Sequence, residues 1–257
     1  MVNLTRRDID LFKVLALGVA NFKMILGLLN HAFNYGMSET ALLRRLSILH
    51  RAGYIATRRE PYRKRHGHFT IYALTKLAVQ ALAELNYPNE SVRMDLPATY
   101  FVRHELNVTS VLHRIHRESS QGFYRYRFLD SSVLKQYRKK ESRDPIPDLR
   151  VSLYFKKNST IEMNIEVDLG TVLIPRMARR IADQANTSDF ILIMCNSDAR
   201  LQSIYEACSS FTKDNVLLAL LRDFLKGGFR HTGLRTIQDE TVRLKLDDEE
   251  PCDTVSE

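Results

Sequence analysis

Four carboxylates after residue 100 have types and spacing that suit metal-assisted chemistry. In Ile161–Asp168 the odd positions are apolar, so Glu166 and Asp168 share the other face of a strand, about 7 Å apart. The preceding strand-like run alternates in the same way and places Asp148, at its start, on the polar face too. Glu105 lies within the apolar stripe of a predicted helix, where a carboxylate is costly unless it is paired or binds a cation.

Convergence of these carboxylates at one sheet edge would require a positive charge among them. Hard oxygen ligands suit Mg²⁺ or Mn²⁺, and a metal held by Asp148 and Glu166 could activate water and stabilise the transition state of phosphoryl transfer. In the alternative, the carboxylates belong to a buried ion-pair network in which Glu105 pairs with Arg176 or Arg180. Spacing alone leaves both alternatives open.

The elements that must position these carboxylates form an alternating series of helices and strands. The periodicity predicts strands at Gly122–Phe128, Leu149–Phe155, Thr160–Val167, Phe190–Cys195 and Val216–Leu220, and helices at Tyr100–Arg117, Leu173–Asn186 and Ser197–Phe211. A central mixed sheet flanked by helices follows from this order. The chain as a whole is therefore predicted to be α/β, or α+β when the first module is included.

The first module is predicted to contain three helices, then a hairpin, then a closing helix. Helices are expected at Ile9–Leu17 and Phe22–Leu29, a third from the N-cap Ser38 to about Arg51 with Gly53 after it, strands at Tyr54–Arg59 and His68–Ala73, and a last helix capped by Thr75. This order is that of a winged helix-turn-helix, in which the third helix enters the major groove of DNA.

The third helix and the hairpin tip carry the residues that would contact DNA. Leu42, Leu46 and Leu49 form an apolar face, while Arg44, Ser47 and Arg51 fall on the opposite one. The wing cluster consists of Arg58, Arg59, Arg63, Lys64 and Arg65. Basic residues in these two places suit base edges and phosphates, so double-stranded DNA is the predicted partner. The alternative is a solvated wing in a module that contacts protein.

Charge and composition divide the chain into four segments. Residues 1–86 form the winged-helix module, 87–98 a polar linker with two prolines, 99–237 the mixed-sheet domain, and 238–257 an acidic tail expected to be disordered. The net charge of the whole chain is +8; the first 75 residues alone carry +8, and residues 239–257 carry −6. A compact basic N-terminal module favours a polyanionic partner.

Composition excludes several other classes of protein. The chain has 257 residues, of which 44% are hydrophobic and 26% charged, which argues against a disordered protein. It contains no apolar run of 18 residues, and its first ten residues lack an apolar signal core, so neither a membrane span nor secretion is expected. The three cysteines are far apart and fit neither a disulfide framework nor a zinc site, which favours the cytoplasm.

Two resemblances extend this interpretation. Pro147-Asp148, followed after 17 residues by Glu166-Val-Asp168, resembles the Pro-Asp…(Asp/Glu)-x-Lys signature of restriction-endonuclease-like folds, with Glu105 as the additional helix carboxylate of many such nucleases. Residues 4–195 are similar to the replication-relaxation family of plasmids and mobile elements. That resemblance rests on Leu4-Thr5-Arg6-Arg7-Asp8, the helix Leu42–Gly53 ending Arg-Ala-Gly-Tyr-Ile, Tyr72-Ala-Leu-Thr75, His104-Glu-Leu-Asn107, Pro147-Asp148 and Glu166-Val-Asp-Leu-Gly-Thr171.

The resemblance implies a winged helix joined to a nuclease-like domain and a role in plasmid replication, relaxation or mobile-element control. One position departs from the signature, because Asp168 stands where the nucleases have lysine and cannot supply its positive charge. The preferred interpretation is therefore a DNA-binding protein of a plasmid or mobile element, either a transcriptional regulator or a replication or transfer accessory factor, with a degenerate nuclease-like domain. A homodimer would follow from a palindromic footprint.

The alternative is a DNA nickase or endonuclease that the winged helix targets to its site. Its catalytic residues would be Asp148, Glu166, Asp168 and Glu105, and its cofactor Mg²⁺ or Mn²⁺. No other cofactor is predicted.

Overall fold

The structure is a computed structural model that describes residues 2–62, 66–87, 92–94, 96–137, 145–156, 159–210 and 214–242. The chain divides into two compact units, Met1–His113 and Arg114–Glu257. Both are mixtures of helix and sheet, which confirms the predicted fold class. Within the described ranges, no helix is both long and apolar enough to span a bilayer.

The first unit has the element order of a winged helix. It comprises α1 (Arg6–Ala16), β1 (Ala20–Asn21), α2 (Phe22–Ala32), α3 (Glu39–Arg51), β2 (Ile55–Pro61), β3 (His68–Leu74), α4 (Lys76–Ala83) and the start of α5 (Val102–Ser120). The strands form an antiparallel sheet in the order β1-β3-β2. The predicted N-terminal winged helix is confirmed.

Helix α3 begins and ends where its sequence signals lie. The Ser38 hydroxyl accepts a hydrogen bond from the Ala41 N–H, and Leu42, Leu46 and Leu49 are buried. Gly53 follows with a φ of +83°, a backbone conformation that favours glycine. Cap, periodicity and glycine agree, so both predicted ends of this helix are confirmed.

Strands β2 and β3 form the wing as a hairpin. The register pairs Ile55 with Leu74 at its base and Pro61 with His68 near the tip. Thr75 occupies the N-cap position of α4 as predicted, but its hydroxyl donates to the carbonyls of Gly53 and Tyr54 instead of capping that helix. Thr75 thus ties the end of the wing to the turn that follows α3.

The second unit is built on a seven-stranded sheet. Its elements are β4 (Arg125–Asp130), α6 (Ser131–Tyr137), β5 (Leu149–Tyr154), β6 (Thr160–Asp168), α7 (Ile174–Gln184), β7 (Phe190–Cys195), α8 (Asp198–Cys208), β8 (Val216–Leu220), α9 (Leu221–His231), β9 (Leu234–Thr236) and β10 (Thr241–Val242). The strand order is β10-β9-β8-β7-β6-β5-β4. Among the strands of the described residues, β6-β7 and β7-β8 pair in parallel and the other neighbours are antiparallel.

The face of β6 that carries the carboxylates is buried, unlike the polar face that alternation predicts. Glu166 and Asp168 are each 2% exposed. Their partners on β7, Ile193 and Cys195, belong to a core to which α7 and α8 contribute. Because the parallel crossovers place helices over this face, apolar alternation along β6 does not distinguish a solvent side.

Helix α9 contains a break that the sequence analysis did not predict. Gly228 has a φ of +60°, and a Cβ there would lie 2.0 Å from Glu118 Oε1. The buried Glu118 carboxylate accepts hydrogen bonds from the N–H groups of Phe229 and Arg230 and from the Tyr124 hydroxyl, and it pairs with Arg114. The carboxylate therefore satisfies the amides that the break exposes, as an N-cap would.

The beginning of the predicted acidic tail belongs to the sheet. Thr241–Val242 form β10 and pair with β9, so the expectation of disorder was wrong for these residues. Residues 243–257 lie outside the described ranges. The predicted boundaries at 86, 98 and 237 stay predictions. The boundary between the two compact units falls within the sequence of α5.

Candidate nucleic-acid interface

The exposed face of α3 carries the three residues predicted to read DNA. Arg44, Ser47 and Arg51 are all exposed. Leu43 lies beside Arg44 and is 50% exposed, although a leucine on a helix of a packed domain is usually buried. Leu43 was not among the predicted contacts, and it can contact the methyl group of thymine as other apolar side chains do.

An ion pair between Arg45 and Asp8 holds α3 against the start of α1. The Arg45 Nε donates to Asp8 Oδ1 at 2.6 Å, and Asp8 is only 1% exposed. The Thr5 N–H and hydroxyl also donate to this carboxylate. Burial raises the pKa of Asp8, but the hydrogen bonds from Arg45 and Thr5 outweigh it, so the pKa lies below its ordinary value.

This ion pair gives the motif Leu4-Thr5-Arg6-Arg7-Asp8 a structural role. The Thr-x-x-Asp spacing at the start of α1 is a capping signal that sequence analysis could have recognised. The pairing of Asp8 with Arg45, 37 residues further on, depends on tertiary structure and has no local signal.

The described part of the wing places its two arginines in different environments. Arg59 is exposed. Arg58 pairs with Glu60, which is 3% exposed, and donates to the Pro97 carbonyl. Arg63, Lys64 and Arg65, also predicted to contact DNA, lie outside the described residues. Arg58 therefore stabilises the wing, and its guanidinium is less available to phosphate than that of Arg59.

Each of the two buried carboxylates on β6 has its own guanidinium. Glu166 lies 2.8 Å from Arg180 on α7 and accepts a hydrogen bond from the Gln184 amide. Asp168 pairs with Arg200 on α8, and its Oδ1 also accepts from the Gly170 N–H at 3.0 Å. Arg180 was predicted as a member of a buried ion-pair network, with Glu105 as its partner, whereas Arg200 was not predicted.

Asp148 lies beside β6, as the predicted convergence requires. Its Oδ2 accepts a hydrogen bond from the Val167 N–H at 2.8 Å. Since Leu149 pairs with Ile165 in the antiparallel register, Asp148 falls opposite Glu166. The structure thus brings Asp148, Glu166 and Asp168 to neighbouring positions at the same end of the two strands.

Glu105 has partners different from those predicted. It pairs with Arg93 and lies 3.8 Å from His104, whereas Arg180 belongs to Glu166, so the predicted pairing of Glu105 with Arg176 or Arg180 was wrong. Burial raises the pKa of Glu105, but His104 and Arg93 outweigh it and leave the pKa below its ordinary value. The pairing was not predictable because Arg93 falls in the segment interpreted as a linker.

No group of three or more His, Cys, Asp or Glu side chains is arranged to hold a metal ion within the described ranges. Cys195, which pairs with Asp168 across the strands, does not add a reactive thiol, since burial and the neighbouring Asp168 raise its pKa to about 12.

The fold and these contacts define a class of protein, a winged helix followed by a mixed sheet flanked by helices. Residues 17–187, about two thirds of the chain, match the family model described as replication-relaxation. The chain belongs to the replication-relaxation family.

Comparisons with individual proteins add little to the family assignment. None of the curated proteins compared with the chain matches it. The crystal structure of Bacillus subtilis PadR in complex with operator DNA is similar to 56% of this chain and 84% of that one, at 13% sequence identity and a TM-score of 0.30.

Proposed function

We propose that this chain is a DNA-binding protein of a plasmid or mobile element, acting in the cytoplasm as a transcriptional regulator or a replication or transfer accessory factor. The observation that carries this proposal is the exposed face of α3, where Arg44, Ser47 and Arg51 stand opposite the buried leucines. A helix with this face, followed by a basic wing, suits the major groove and the flanking phosphates of double-stranded DNA.

The test is a footprint and titration on DNA of the element that encodes the protein. Arg44→Ala should cost about 1–3 kcal/mol of binding free energy and relax specificity at one position of the site. Glu39→Ala, also exposed on α3, is the matched control and should retain that specificity. A palindromic footprint would indicate a homodimer. Unchanged affinity and specificity in the Arg44 variant would contradict the proposal.

For the second unit we propose a nuclease-like domain that no longer cleaves DNA. Support comes from the arginines at the carboxylates, because Arg180 and Arg200 already balance the charges of Glu166 and Asp168. A divalent cation would have to displace a guanidinium that is hydrogen-bonded in a buried site, and breaking a buried ion pair costs free energy.

The alternative function is a metal-dependent nickase or endonuclease. One observation favours it, the register that places Asp148 opposite Glu166. These two residues would be the ligands of Mg²⁺ or Mn²⁺, with Asp168 completing the shell, and the ion would activate a water molecule.

Incubation of the purified protein with supercoiled plasmid distinguishes the two proposals. A non-cleaving domain should leave the plasmid intact with either cation, and calorimetry should detect no millimolar binding of Mg²⁺. Nicking that requires the cation and disappears in Glu166→Ala, with DNA binding retained, would instead establish the nuclease. Lys226→Ala, an exposed change on α9, controls for handling of the protein.

A further inference from the structure

The second unit leaves one side of its sheet uncovered at the edge strand β4, its neighbour β5 and the start of β6, whereas further along β6 the same side is buried at Asn164 and Glu166. Residues 126, 128, 149, 151 and 153 point to the side that packs against α5, where His116 contacts Tyr126. The opposite side, here called the open face, carries Arg125, Arg127, Arg150, Ser152, Tyr154 and Glu162, and each of these residues is exposed or partly exposed.

The open face is basic along its outer edge. Arg125 and Arg127 are exposed, and no ion pair is formed by either within the described part of the chain. Arg150 donates to Asn164, a neutral amide, so its charge is not balanced there. The acids near this face, Glu162 and Asp189, lie on the β6 side, away from the edge strand β4.

An aromatic ring lies among these arginines. Tyr154 is 36% exposed and is the direct cross-strand partner of Arg125. Ser152, the next residue on this face of β5, is the partner of Arg127 and adds a hydroxyl donor. Arginines that reach phosphates, next to an aromatic ring on which a base can stack, are the combination found in surfaces that bind single-stranded nucleic acid.

We propose that the open face binds single-stranded DNA, with Arg125, Arg127 and Arg150 on the phosphates and Tyr154 stacked on an unpaired base. A duplex would contact only the arginines, through its phosphates, because its bases already stack on one another and offer no free face to Tyr154. The residues of the open face belong to the second unit and those of α3 and the wing to the first, and the inference does not depend on the function proposed for the first unit.

Fluorescence anisotropy of the full-length protein with a labelled mixed-sequence strand of about 20 nucleotides tests this inference. Arg125→Gln combined with Arg127→Gln should lower the affinity roughly tenfold or more and reduce the slope of log affinity against log salt by about 1.4. Tyr154→Ala should lower it roughly 5- to 100-fold with an unchanged slope, and Tyr154→Phe should retain wild-type binding. Neither Tyr154 substitution should alter the affinity for a matched duplex, because a duplex offers no unpaired base to the ring.

Arg222→Gln combined with Lys226→Gln is the charge-matched control, since both residues are exposed on α9. This control should retain its affinity for the strand. Loss in the arginine variant without loss in Tyr154→Ala would show a general polyanion surface and overturn the inference, as would unchanged binding in both.

Crosslinking of the unmodified protein avoids any effect of the substitutions on folding. A strand that contains iododeoxyuridine should crosslink to a peptide that includes Tyr154 under ultraviolet light. Crosslinks confined to α3 and the wing would overturn the assignment.

Discussion

The residue pattern around Glu166 and Asp168 predicts that a positive charge lies beside them, but it does not predict which group supplies that charge. Buried carboxylates need a positive neighbour, and either a metal ion or an arginine meets that need. In this chain Arg180 and Arg200 meet it. The requirement could be inferred from strand parity, but the two arginines lie on helices whose approach depends on the tertiary fold.

The Arg180–Glu166 pair should contribute strongly to the stability of the second unit. Arg180→Met should lower the free energy of unfolding by about 3 kcal/mol, because it leaves a buried carboxylate without its charge partner while Gln184 still donates to it. Urea denaturation followed by circular dichroism measures the change. Arg176→Met, an exposed change one turn earlier on α7, should shift stability by less than about 0.5 kcal/mol. Equal effects of the two changes would contradict this role.

Asp8 should make the stability of the first unit depend on pH in the acid range. Its pKa is lowered in the folded chain, so its contribution is fully present above the unfolded value of about 3.9 and is lost as pH falls through the folded pKa. Wild type should therefore be more stable than Asp8→Asn at pH 6, and the difference should shrink below about pH 4. Denaturation of both proteins across this pH range measures it; a difference independent of pH would refute the ion pair.

At the scale of elements, substitutions of two neighbouring wing arginines should affect different properties: Arg59 contributes to DNA binding and Arg58 to stability. Arg59→Ala should weaken binding to all DNA sequences and reduce the salt slope by about 0.9, because it removes one phosphate contact, with stability unchanged. Arg58→Ala should instead lower stability, because buried Glu60 loses its partner. Titrations at several salt concentrations, together with thermal unfolding, compare the two variants. Reversed effects would place the DNA contact at Arg58.

Elements with agreeing local signals could be predicted, and those without them could not. Helix α3 has Ser38, a leucine period and Gly53, and β7 and β8 are continuous apolar runs, so their predicted bounds match the structure. Helix α6 has only seven residues, and α9 contains Gly227-Gly228, a pair that lowers helix propensity. The last two strands are too short to show alternation.

The candidate DNA contacts of the first unit could be predicted because they lie on one helix face and one hairpin. Arg44, Ser47 and Arg51 follow from helical periodicity alone. The basic edge of the open face could not be predicted in this way, since Arg125 meets Tyr154 only through a pairing of strands separated by α6.

At the scale of the whole molecule, the last fifteen residues should reduce electrostatic attraction to DNA. Residues 243–257 contain six acidic and two basic residues, so a chain ending at Val242 has a net charge four units more positive and keeps β10. It should bind non-specific DNA more tightly at low salt, with the difference vanishing as salt screens the charges. Anisotropy measured across a salt series checks this. A full-length variant with the six acids changed to amides is six units more positive and should also bind more tightly at low salt; equal affinity of all three proteins at low salt would exclude the effect.

The contact of Glu118 with the amides of Phe229 and Arg230 constrains the order in which the chain can fold during synthesis. These partners are 111 and 112 residues apart. Until the ribosome has released residue 230, the buried Glu118 carboxylate lacks these two N–H donors, so the last turns of α5 cannot complete their packing in the second unit. The winged-helix unit ends at His113 and meets no such delay. A nascent chain should therefore present a folded winged helix before its mixed sheet has closed.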